Sequence, residues 1–214
     1  MALDNKKLFQ LAFLLSLFTI GYNILEGLLA TYFGFADESL ALFGFGTDSF
    51  IEVISGLGIA HMVLRIKRTP EGNRDSFERT ALKITGYAFY ALVTGLVVSS
   101  TYNILTGQHP TTTFWGIVVS VISILVMWAL VTAKLFVGKQ LNSEAILADA
   151  ECTMVCIYMS IILLVSSILY ALTGFAYADS LGTLGLAYLS FKEGRECFEK
   201  ASTNKICGCG KNCK

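Results

Sequence analysis

Two pairs of side chains in this 214-residue chain have the types and the spacing to hold a metal cation. Asp48 and Glu52 lie four residues apart, and so do Cys152 and Cys156. At about 100° per residue, positions four apart share one face of a helix and stand one turn apart along it. Two carboxylates meeting two thiols across a helix interface would form an O₂S₂ cage of four ligands, the number that a tetrahedral d¹⁰ ion such as Zn²⁺ accepts. The thiols shift the preference toward softer ions such as Cd²⁺, Hg²⁺ or Cu⁺ and away from Mn²⁺ and Mg²⁺. Cysteines in a membrane also serve as small apolar packing residues. The paired acids opposite are what give these two a ligand reading.

Other candidates rank lower. Asp149 precedes Cys152 by three residues and would sit on the same face nearer one membrane surface, where it either relays a cation or bonds its neighbours. Glu151 points about 100° away from Cys152. Asn23 and Glu26 form a polar strip that lines a hydrated path or bonds a neighbouring helix. Cys207, Cys209 and Cys213 crowd together with Gly208 and Gly210 near the C-terminus and suit capture of a soft cation. A cytoplasmic position would keep these three thiols reduced. The two histidines are structural by default: His61 follows Glu52 by nine residues and so faces the opposite way, and His109 sits beside Pro110 in a loop.

Such ligands need elements that hold them at membrane depth. Hydrophobic residues make up 54% of the chain, charged residues 15%, and mean hydropathy is +0.63. A soluble domain carries about 25% charged residues, so these apolar side chains must face lipid. Apolar runs cover residues 8–33, 40–64, 81–105, 114–136, 146–172 and, more weakly, 181–191. The first five are each long enough to cross about 30 Å of hydrocarbon at about 1.5 Å per residue. No segment alternates as a barrel strand would. The expected fold is an all-α integral membrane protein, a six-helix bundle over residues 1–200 with a short Cys-rich tail over 201–214. Asp48, Glu52, Cys152 and Cys156 then fall in the middle third of the second and fifth helices. The first run is too long for a signal peptide and reads as a retained helix.

All 16 Lys and Arg residues fall at one side of this layout, which puts both termini in the cytoplasm. Lys134 is counted there as a flank of the loop between the fourth and fifth helices. The net charge of zero gives nucleic acid no reason to bind.

With these residues in view, the sequence resembles the transmembrane domain of the cation diffusion facilitator family. The resemblance runs through Glu38-Ser39-Leu40-Ala41-Leu42, Asp48-Ser49-Phe50-Ile51-Glu52, Glu78 and Arg79, Ala148-Asp149-Ala150, Ala178-Asp179-Ser180 and Lys192-Glu193-Gly194, and it extends over nearly all of residues 8–200. It implies six spans, cytoplasmic termini and an ion site between the second and fifth helices. Where the family has His or Asp followed by Asp on the fifth helix, this chain has Cys152 and Cys156. Where the family adds a cytoplasmic domain of ferredoxin-like shape, the sequence carries the short tail.

The expected function is export of a divalent or soft metal ion, Zn²⁺ or Cd²⁺ in type, from a bacterial cytoplasm across the inner membrane by alternating access. Thiols must lose protons to bind metal, so loading would release protons and couple export to proton return. The expected partners are metal cations, protons, membrane lipid and, in a homodimer, a second copy. No catalytic cofactor and no enzymatic activity are expected. A membrane sensor that binds metal without turnover is the alternative. A thiol redox enzyme fits less well, because cysteines one turn apart on an unbroken helix are poorly placed for a disulfide.

Overall fold

The computed structural model describes residues 5–68 and 76–202. The described chain folds into six helices: α1 (Asn5–Ala36), α2 (Leu40–Arg68), α3 (Ser76–Thr106), α4 (Phe114–Gln140), α5 (Glu144–Thr173) and α6 (Ala178–Ser202). No strand occurs among the described residues. The first five helices are long and apolar enough to span a membrane. Within lipid each backbone N–H and C=O must be satisfied locally, and an α-helix does this along its own length. Outward-facing Leu14, Leu25, Leu28, Leu125 and Val165 are 56–67% exposed, as suits side chains whose solvent is hydrocarbon.

The sixth helix differs from its sequence reading. Its apolar run stops at Phe191, yet the helix continues for three more turns to Ser202. Pairs one turn apart support this charged extension, with Arg195 Nε 3.2 Å from Glu199 Oε1 and Lys200 Nζ 3.6 Å from Glu196 Oε2. The expected tail cysteines, Cys207, Cys209 and Cys213, lie outside the described residues.

Helices α1 and α2, α3 and α6, and α4 and α5 form the three closest pairs, and α2 also touches α3, α5 and α6. Hydrophobicity does not drive helices together in lipid, so close packing at small residues and interhelical hydrogen bonds must. Gly46 on α2 shows how close: a Cβ there would lie 2.5 Å from the backbone nitrogen of Thr31 on α1. Gly34 is packed as tightly against Phe43.

The start of α2 is fastened to the start of α6. Asp179 accepts hydrogen bonds from Ser39 Oγ at 2.6 Å and from the Leu40 amide at 2.9 Å, while Ser39 Oγ accepts from the Leu42 amide at 3.2 Å. These are orphan amides of the α2 N-terminus, the Leu40 amide capped by Asp179 of α6 and the Leu42 amide by Ser39 itself. The anchor fixes the rotation of α2 and hence where Asp48 and Glu52 point. Replacing Asp179 by Ala is expected to cost about 1–3 kcal/mol, because buried donors lose their acceptor. A thermal-unfolding midpoint in detergent within error of the wild type would contradict this.

Candidate functional site

Helix α2 carries both acids into the bundle. Asp48 is 4% exposed and accepts a long hydrogen bond, 3.4 Å, from Ser190 Oγ on α6. Glu52, one turn further along, bridges α1 and α5. Its Oε2 accepts from Asn23 Nδ2 at 3.0 Å, and its Oε1 accepts from the Cys156 thiol at 2.8 Å. The α2 to α5 meeting anticipated from the sequence is thus made by Glu52 and Cys156. Asp48 lies within electrostatic reach of Glu52, Glu193 and Glu26, so three further acids bear on it.

Cys156 is a buried free thiol, and it forms no disulfide with its neighbour one turn away. Cys152 is disulfide-bonded, with its Sγ 3.7 Å from Lys200 Nζ on α6. A disulfide sulfur offers no thiolate, so a cage using both cysteines requires Cys152 to be reduced. Among the described residues, no three His, Cys, Asp and Glu side chains stand together closely enough to hold a metal ion.

The supporting acids have found partners of their own. Glu26 accepts from Tyr22 at 2.9 Å and from Ser49 at 3.1 Å, and Asn23 holds Glu52. The polar strip of α1 therefore bonds the neighbouring helix. Asp149 is engaged by Lys134: its two oxygens each lie 3.0 Å from Nζ, which also donates to Thr153 Oγ1 at 2.8 Å. Lys134 is 1% exposed. It stands inside the bundle, paired, rather than on the rim of a loop as its position near the end of α4 suggests.

His109 lies away from these acids. It belongs to a network in the connection between α3 and α4, with Nδ1 3.0 Å from Tyr170 Oη, which donates to the Pro110 carbonyl at 2.6 Å. Sequence reasoning gave no site role to Glu193. It is 9% exposed and lines a cavity between α4, α5 and α6. The signal available in the sequence was an acid just past a span, which reads as a surface residue.

Comparison with known proteins agrees with this architecture. The transmembrane domain of the cation efflux family matches residues 12–204. An uncharacterized transporter of Methanocaldococcus jannaschii is 26% identical over 174 residues, which is 79% of this chain and 61% of that relative's length. With that family match covering nearly all of the helical bundle, the chain belongs to the cation efflux family.

Proposed function

We propose that the protein exports a thiophilic divalent cation, Zn²⁺ or Cd²⁺ in type, through a site built from Asp48, Glu52, Cys156 and, when reduced, Cys152. The observation that carries this reading is the 2.8 Å contact between the Cys156 thiol and Glu52. A proton there occupies the position between a sulfur and a carboxylate oxygen that a soft cation bridges. Binding the ion expels that proton, so loading releases protons and unloading takes them up. Cytoplasmic acidification therefore weakens loading, and acid on the far side promotes release. This makes the protein an antiporter, at home in a bacterial cell membrane, with room for a homodimer.

The ligand set also argues for cargo choice. Sulfur raises affinity for Cd²⁺ and Zn²⁺ relative to Mn²⁺ and Mg²⁺. The two acids supply the negative charge that a dication needs in a medium where each unpaired charge costs about 2.5–3.5 kcal/mol.

Purified protein reconstituted with a reductant into vesicles provides the test. Wild type is expected to accumulate Cd²⁺ and Zn²⁺ in exchange for protons, and the Cys156→Ser/Cys152→Ser double variant is expected to lose Cd²⁺ flux by at least about 100-fold. Full flux in the double variant would sink the thiol assignment. Stoichiometric binding without accumulation would instead indicate a sensor.

A further inference from the structure

A cavity of about 290 Å³ opens between α4, α5 and α6, and its lining mixes charge with grease. Glu151 from α5 and Lys192 and Glu193 from α6 supply the polar part, while Val131, Met154 and Leu189 form apolar walls. It lies on the half of the bundle that holds the C-terminal turns of α6, the cytoplasmic half by the distribution of Lys and Arg.

Glu193 stands out there. It is 9% exposed, and its side chain makes no hydrogen bond or ion pair among the described residues. Every other well-buried acid at this depth has a donor: Asp48 has Ser190, Glu52 has Asn23 and Cys156, Glu26 has Tyr22 and Ser49, and Asp149 has Lys134. A buried carboxylate without a donor is costly to keep, and such groups at membrane depth mark ion pathways. The charge of Glu193 also bears on both Asp48 and Glu52, so a cation held by it is already inside the field of the deeper acids.

We propose that this cavity is the loading vestibule for the cation, and that Glu193 takes the ion from the cytoplasm and passes it to Asp48 and Glu52. The inference rests on the transport reading above. Glu193 is a transient ligand: it captures and hands on, and the deeper ligands hold. Lys200 and Lys192, with Glu196 acting in the opposite sense, lie within electrostatic reach of Glu193. They keep its grip moderate, which a relay needs, since a site that binds too well does not release inward.

The test uses the full chain in vesicles, with Cd²⁺ and Zn²⁺ as probes and initial rates measured against concentration. Glu193→Gln is expected to raise the half-saturating concentration about tenfold while the maximal rate stays within twofold, since capture is impaired and the deep site is intact. Glu193→Asp is expected to restore most of the loss. Leu189→Trp, which fills the cavity while leaving every acid in place, is expected to raise half-saturation as well, and it keeps the test alive if Glu193→Gln fails to fold. Wild-type half-saturation in Glu193→Gln and Leu189→Trp would overturn the proposal, as would a fall in maximal rate alone. If wild type moves no ion, or Asp48→Asn moves as much as wild type, the transport reading fails first and takes the vestibule with it.

Discussion

A Glu52→Gln protein is expected to fold normally and to lose cation flux by at least about 100-fold. Loss of a group that merely supports a ligand costs about 10–100-fold in metal affinity, so loss of a ligand sets the higher end of that range as a floor. The fold is expected to survive because the surroundings of Glu52 adapt. Glutamine keeps one acceptor oxygen for the Cys156 thiol, now 2.8 Å from Oε1. Its new N–H group needs an acceptor where Asn23 Nδ2 now donates. Asn23 Oδ1 is buried and has no hydrogen-bond partner among the described residues, so a flip of the Asn23 amide presents that oxygen and satisfies both side chains.

The change thus removes one negative charge and almost nothing else, which separates charge from packing. In vesicles, initial Cd²⁺ uptake read by an entrapped dye, beside a thermal-unfolding midpoint in detergent, gives both quantities. Flux within a few-fold of wild type at an unchanged midpoint would remove Glu52 from the ion path. Because Cys156 still carries its proton in the variant, residual uptake should also rise as the loading side is made more alkaline. Deprotonation of the thiol then precedes binding, and higher pH supplies more thiolate.

The positions of Asp48, Glu52 and Cys156 were legible in the sequence because helical periodicity and depth are both linear quantities. Spacing of four gives a shared face, and counting from the start of an apolar run gives a depth. What the sequence hid are relations between helices that depend on how each is rotated. Cys152 shares a face with Cys156, yet its sulfur sits beside Lys200, because α6 runs on past its apolar run and crosses there. Glu193 was invisible as a site residue for the same reason: the chain looks finished with the membrane at Phe191, while the helix goes on. Lys134 reads as a loop flank because Lys near a span's end ordinarily lies at the interface. Only the placement of Asp149 on the facing helix turns it inward.

That inward pair yields the other large effect. Lys134→Met is expected to destabilise the protein by about 3–5 kcal/mol, because it strands the Asp149 carboxylate without its cation among buried neighbours. The side chains of Lys134 and Asp149 are 2% and 9% exposed, respectively, so water does little to rescue either alone. Asp149→Leu strands the ammonium instead and should be comparably harmful.

The Lys134→Met/Asp149→Leu double variant should recover much of the loss. Apolar pairs of similar volume replace buried ion pairs at little cost, and often with a gain. Thermal-unfolding midpoints for the four proteins form a double-mutant cycle, and a coupling near zero would show that the pair stands without mutual support. The same cycle speaks to the ion path. The Lys134 charge bears on Glu52, so removing the ammonium and the carboxylate together leaves the net charge near the site unchanged and should preserve cation flux. Loss of flux in a double variant of normal stability would instead place Asp149 on the route that the ion follows.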